Sequence, residues 1–183
     1  MRKYILLIIL FLLASSYIYM YYNPIVIKPD DTYSFIFNPK SLDVKDEFEL
    51  YYDTDLLQRS DTLKLFEHFD FSEGNWKACV FFRERYDVIK SIPKGKYLEI
   101  KDMQLIRKFQ DLSFEFMQGD VCILENELII YKDDKIVFRC AVALDNAEEG
   151  FQSHQFGWIK SLNKQLTQLI NEFKRPIIPI VFY

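Results

Sequence analysis

Nineteen consecutive residues near the start of the chain, 4–22, contain no charged side chain and only Ser15 and Ser16 as small polar interruptions. As a helix rising about 1.5 Å per residue, such a run measures roughly 28 Å, close to the ~30 Å hydrocarbon thickness of a bilayer. Arg2 and Lys3 precede it, and Tyr17, Tyr19, Tyr21 and Tyr22 gather at its far end, where an interfacial aromatic belt would lie. The two basic residues predict a single-pass segment in the inner (cytoplasmic) membrane. The N-terminus is then held in the cytoplasm and everything from Asn23 onward lies outside.

A rival reading takes residues 4–13 as the h-region of a signal peptide, with Ala14, Ser15 and Ser16 supplying the small residues of a cleavage site. Cleavage near Ser16 would release the remainder into the periplasm. The apolar and aromatic run continues beyond Ser16, whereas a cleavable site is usually followed by polar sequence, and this favours an uncleaved anchor. No Cys stands near this end, so a lipoprotein is not expected. A buried core helix is disfavoured as well, because residues 4–13 have no polar face.

Beyond Arg2 and Lys3 the chain carries 21 basic residues against 27 acidic, a formal charge of −6. That balance argues against a nucleic-acid partner. It also argues against a domain lying on anionic lipid, since the first stretch after the run offers only Lys28 beside Asp30 and Asp31. An acidic surface serves solubility first and the steering of a basic protein partner second.

Pro24 and Pro29 mark residues 23–31 as a short extended tether. Residues 32–37 then alternate Tyr33, Phe35 and Phe37 against Thr32, Ser34 and Ile36, the period of a strand with one buried face. Residues 47–52 predict a second strand, and Asp53-Thr54-Asp55 an N-cap for a helix through Leu56, Leu63, Phe66 and Phe69. Further strands are expected at 76–83 and 96–100, and a short helix at 103–111. Leu112, Phe114 and Phe116 alternate, and residues 121–125, 127–132 and 135–144 read as a β-meander with a hairpin turn at Asp133-Asp134. In that register Lys132 opposes Lys135, Tyr131 opposes Ile136 and Cys140 opposes Glu127. Residues 145–150 read as a polar loop, and 156–174 as an amphipathic helix with Phe156, Ile159, Leu162, Leu166, Leu169, Ile170 and Phe173 on one face. Pro176 and Pro179 stop it, leaving 177–183 as an extended tail or edge strand.

The expectation is therefore an α+β fold with a mainly antiparallel sheet and two principal helices, the last amphipathic and C-terminal. Residues 1–22 form the signal anchor or signal peptide, 23–31 the tether and 32–183 a single exported domain.

Chemistry-bearing motifs are sparse. His68 and His154 are the two histidines, and no His, Cys or carboxylate pair has metal-site spacing, so neither a metal nor a cofactor is expected. Cys79, Cys122 and Cys140 all lie in apolar strand contexts and read as inert core thiols. In the meander register Cys122 and Cys140 lie two strands apart, roughly 10 Å, beyond the ~7 Å a disulfide allows. The remaining feature is the stretch from the acidic loop into the last helix. Asp145, Glu148 and Glu149 precede an aromatic junction that holds Phe151, His154 and Trp158 beside Gly157, where another backbone or a ligand can come close. These six residues are the candidate partner-binding site.

The function expected from this pattern is non-enzymatic: a membrane-anchored, periplasmic-side protein-interaction module of the bacterial envelope, by analogy of size, acidity and placement an inhibitor or immunity-type protein. Two alternatives stand beside it, a small envelope enzyme using Cys79 or His154 and an accessory subunit of a membrane complex.

Overall fold

The structure is a computed structural model describing residues 2–27, 36–37, 62–83, 88–117, 126–145, 148–153 and 157–182. Residues 47–52, Asp53-Thr54-Asp55, Cys122, His154 and Phe156, all singled out from the sequence, lie outside the described residues.

The apolar run at the N-terminus forms α1 (Arg2–Tyr22), whose side chains are exposed over residues 3–19. A core helix of a soluble protein would be buried; this one is not. It is long and apolar enough to cross a membrane or to act as a signal. After α1 come β1 (Ile25–Ile27), β2 (Ile36–Phe37), β3 (Trp76–Phe81), β4 (Tyr97–Ile100), α2 (Met103–Ile106), a 3-10 turn (Arg107–Asp111) and β5 (Phe114–Met117). Next are β6 (Glu127–Lys132), β7 (Lys135–Leu144), β8 (Glu149–Ser153), β9 (Gly157–Ser161), a 3-10 turn (Leu162–Lys164), α3 (Gln165–Ile170) and β10 (Ile180–Phe182). The fold is α+β, and its main sheet is antiparallel throughout.

That sheet runs β4-β3-β6-β7-β8-β9-β5, with β2 pairing β7 beside β8. Among the described residues, each of its two outer strands is met by one bridging residue. Leu63 exchanges 2.8 Å backbone bonds with Phe114 of β5, and Lys174 exchanges bonds of 2.8 and 2.9 Å with Glu99 of β4. A separate two-stranded parallel ribbon joins β1 to β10, aligning Ile25 with Ile180 and Val26 with Val181. The segment expected as a tether is thus partly a strand.

The Asp133-Asp134 turn holds as expected, with both residues in the left-handed region and Lys132 opposite Lys135. Beyond it a bulge between Ile130 and Tyr131 shifts the register, so Cys140 opposes Leu128 and Glu127 opposes Ala141. On its other side β6 pairs with β3; residues 121–125, expected beside it, lie outside the described residues.

The expected helix over 156–174 is corrected. Residues 157–161 form β9, hydrogen-bonded to β8 on one side and β5 on the other, which buries both Trp158 and Ile159. Asn163 and Lys164 then take left-handed conformations (φ 54° and 56°), and a right-handed helix begins only at Gln165. The helical spacing of Leu166, Leu169 and Ile170 is real, but it extends over six residues. The expected helix through Leu63, Phe66 and Phe69 is likewise absent within residues 62–69: Leu63 pairs with β5 and Leu65 to His68 form a turn.

That turn delivers Phe66 to the centre of the larger core. Its fully buried ring lies 4.9 Å from Phe138 of β7, 5.1 Å from Phe109, 6.0 Å from Phe151 of β8 and 6.3 Å from Phe114 of β5, mostly edge to face. Leu166, Ile170 and Phe173 close the same core from the C-terminal side. Replacing Phe66 by Ala is expected to lower the unfolding free energy by about 3–5 kcal/mol, measured by chemical denaturation. A loss under about 1 kcal/mol would show that this ring does not join the strands.

Candidate functional site

Of the six residues nominated from the sequence, the five described are not brought together on one surface. Phe151 has no exposed area and packs 5.4 Å from both Phe114 and Phe138, and Trp158 is buried opposite Gln152. Glu149 is buried too. Its carboxylate accepts from the Thr167 backbone N–H at 3.2 Å and from the Thr167 hydroxyl, while Ser161 Oγ accepts from the Leu166 N–H at 3.2 Å. Lys164, in the N-cap position of α3, makes no side-chain cap bond, so a strand carboxylate and a strand hydroxyl satisfy the first free N–H groups of the helix. Asp145 and Glu148 remain partly exposed on a turn closed by the Glu148 N–H, which donates to Asp145 Oδ1 at 2.7 Å. His154 lies outside the described residues. Gly157 needs its left-handed φ of 69° and has nothing within 4 Å of a would-be Cβ. The close approach occurs instead at Gly150, where a Cβ would stand 1.9 Å from the Ile159 carbonyl oxygen.

Sequence reasoning missed a cluster on the opposite face of β3, β4, β6 and β7. Period-two alternation places Cys79, Tyr97, Ile129 and Tyr131 on this face, and Val181 and the partly buried Val26 of the β10–β1 ribbon pack against them. Tyr97 O–H donates to Glu99 Oε2 at 3.3 Å, and Glu99 Oε1 meets Lys101 Nζ at 2.8 Å. Lys77 sits 4.1 Å above the Tyr131 ring. A buried pair lies on the same face, with Arg139 Nη2 donating to Glu127 Oε1 at 3.1 Å and Oε2 at 3.4 Å. The signal for this cluster lies in the odd-numbered positions of 127–131, which alternate as strictly as the apolar core positions between them.

Burial governs the chemistry of these groups. It pushes the Cys79 thiol up to about 12, against a smaller lowering by the Tyr97 hydrogen bond, and raises the Tyr97 and Tyr131 phenols. Cys140, whose Sγ donates to the Gln152 carbonyl at 3.3 Å, is raised by burial in the same way. Both thiols are therefore protonated and covered at neutral pH, the opposite of an activated nucleophile. Among the described residues no group of three or more His, Cys, Asp and Glu can hold a metal ion.

The third assembly is the junction between α1 and the sheet. Lys96 donates its backbone N–H to the Tyr22 carbonyl at 3.2 Å, Ile25 to Pro179 at 2.9 Å, and Tyr17 its hydroxyl to the Ile177 carbonyl at 3.0 Å. The Arg175 guanidinium lies 4.6 Å from the Tyr21 ring centroid and 4.3 Å from that of Tyr22. Lys96 leads into β4 and bonds to Phe82, so α1 meets the sheet at the end of β3. The start of β3 lies five residues away, about 17 Å at 3.3 Å per residue. There lie the exposed Glu73, Asp133 and Asp134; the Asn75 N–H donates to Asp133 Oδ1 at 2.9 Å, Lys132 and Lys135 flank the turn, and the exposed Asp70 feels the charge of Lys132. Hydrogen bonds from Ser72 hold the Asp70 carboxyl below its usual range.

No family model matches the chain, and no curated protein or solved structure matches it.

The buried thiols predict a pH dependence. An ordinary thiol value of 9.0 rises to about 12 for folded Cys79, so the stability from keeping it neutral is full below about pH 9 and is lost as pH climbs through 12. The fall in unfolding free energy over that window should be shallower in Cys79→Ala. Iodoacetamide at mildly alkaline pH should modify Cys79 and Cys140 only on unfolding; rapid modification of either in the folded chain would contradict the assignment.

Proposed function

We propose that this chain is a non-enzymatic, membrane-anchored protein-interaction module of the cell envelope. Its uncleaved helix crosses the inner membrane with the N-terminus in the cytoplasm, and residues 32–183 are one domain displayed on the outer side. The observation that carries the reading is a helix of membrane-spanning length, exposed over residues 3–19, whose last turns are tied to the sheet through Tyr17, Tyr22, Ile25 and Arg175. A helix bound into the fold at its last turns is a component of the structure, but every tie residue follows Ser16; what favours an anchor over a removable signal is the apolar and aromatic run that continues past Ser16. Cleavage near Ser16 would leave Tyr17 and Tyr22 but remove the rest of the helix. The reading also draws support from the protonated, buried state of Cys79 and Cys140, which disfavours a thiol enzyme.

The partner-facing surface is the end of the sheet remote from α1. The exposed Asp70, Glu73, Asp133 and Asp134 project there, and the formal charge of −6 beyond Arg2 and Lys3 suits a basic protein. Asp145 and Glu148 belong to the same acidic character; Phe151, Trp158 and Glu149 act by holding the sheet and α3 in place. An inhibitor-like role follows if the partner's own active surface is basic.

Two measurements test this. A reporter active only outside the cytoplasm, fused after Tyr183, should be active, and the mature protein should retain its first 16 residues. Crosslinking in intact membranes should recover a basic protein, whose association with the purified chain slows several-fold as salt rises from low to physiological levels and slows similarly in Asp133→Asn/Asp134→Asn. A silent reporter would overturn the topology, and association indifferent to salt and to those substitutions would overturn the acidic surface.

A further inference from the structure

After α3 the chain runs through Pro176-Ile177-Ile178-Pro179-Ile180, and its isoleucines are out of place in water. Ile177 is 81% exposed and Ile178 70%, while Ile25, Ile27 and Ile180 of the β1–β10 ribbon are each near half exposed. Together they make a contiguous apolar edge of the kind that marks an interaction surface.

Its position says what covers it. The Tyr17 hydroxyl donates to the Ile177 carbonyl, and Tyr17 stacks on Tyr21, with ring centroids 6.3 Å apart. Tyr17 precedes Tyr22 by five residues, about 7.5 Å along the helix axis. The loop therefore runs alongside the final turns of α1, at the level of its aromatic belt. Around the apolar edge stands a basic rim. Lys94, Lys96 and Lys174 are exposed, and Arg175 packs against Gly95 and stacks on Tyr21 and Tyr22. Of the nearby acids, Glu99 is paired with Lys101, and Glu172 is exposed two residues before Lys174.

We infer that residues 174–180, with Ile25 and Ile27, form a second membrane contact: the isoleucines enter the acyl-chain boundary, and Lys94, Lys96 and Lys174 meet the phosphates of anionic lipid. The inference rests on the reading of α1 as an uncleaved anchor, since a bilayer that contains α1 surrounds the turns to which the loop is bound. It also reverses the expectation that the domain lacks a basic patch near the membrane. The patch is assembled from residues 94–96 and 174–175, both far in sequence from the anchor.

The test uses the full chain in vesicles whose acyl chains carry bromine, with Trp introduced at one site and the emission of Trp76 and Trp158 subtracted. Ile178→Trp should lose most of its added emission to the brominated chains and little to aqueous iodide. The loss should be larger with phosphatidylglycerol present than in phosphatidylcholine alone, and the difference should vanish in the Lys94→Gln/Lys96→Gln/Lys174→Gln background. Quenching by iodide but not by bromine would overturn the contact, and quenching by neither would mean that protein, such as a second copy, covers the loop, which overturns it as well. Equal quenching in the two lipids would overturn the anionic-lipid assignment. Ile9→Trp separates the two readings: bromine quenching there with an iodide-accessible residue 178 leaves the anchor standing and removes this contact, whereas iodide access at residue 9 removes the anchor.

Discussion

Two three-residue strands from opposite ends of the chain, β1 and β10, join the apolar helix to the sheet. A two-stranded ribbon this short is unstable in water by itself. It persists because Val26 and Val181 rest on the apolar patch of Cys79, Tyr97, Ile129 and Tyr131, while Ile25 and Lys96 bond to the backbone at Pro179 and Tyr22. The outer face of β3, β4 and β6 is thereby buried under the ribbon, which explains the neutral thiol and the raised phenols. Removing the ribbon would expose an aromatic face and leave α1 held only by the Lys96–Tyr22 and Tyr17–Ile177 hydrogen bonds and by Arg175 against Tyr21 and Tyr22.

The other face of the sheet depends on a different constraint, the supply of phenylalanine rings. Strands β5, β7 and β8 each contribute one ring to the group around Phe66, which arrives on a turn. Gly150 sits where a side chain would collide with the Ile159 backbone, so the pairing of β8 with β9 at this position requires a residue without a Cβ. Burial on one face by a plug of aromatic rings and on the other by a ribbon accounts for why β3, β6 and β7 read as nearly continuous apolar runs.

Much of this was legible from local pattern. The strands over 76–81, 97–100, 127–132 and 135–144, the Asp133-Asp134 turn and the N-terminal helix all follow from alternation or from an unbroken apolar run. The failures share a cause, in that apolar spacing is ambiguous where a strand meets a helix. Ile159 and Leu162 fall at helical intervals from Leu166, yet Asn163 and Lys164 turn left-handed between them, and pairing on both sides of β9 outweighs helical preference. Phe66 and Phe69 have helical spacing too, but a turn brings them to the same core. The candidate site was less legible. Phe151, Trp158 and Glu149 look like a binding cluster because aromatic and acidic residues adjoin in sequence, whereas their roles are core packing and capping of α3. Most contacts of the junction between α1 and the sheet join residues more than 150 positions apart, and no local pattern announces such a contact.

Amide hydrogen exchange on the full chain in lipid nanodiscs tests the central claim, that helix and sheet form one unit through the ribbon. The informative amides are Ile25, bonded to the Pro179 carbonyl, and Lys96, bonded to that of Tyr22. If the ribbon holds, both exchange slowly, with protection approaching that of β6 and β7. If Ile25 and Lys96 exchange at the rate of unstructured peptide while β6 and β7 stay protected, α1 is a loosely tethered helix and the account fails.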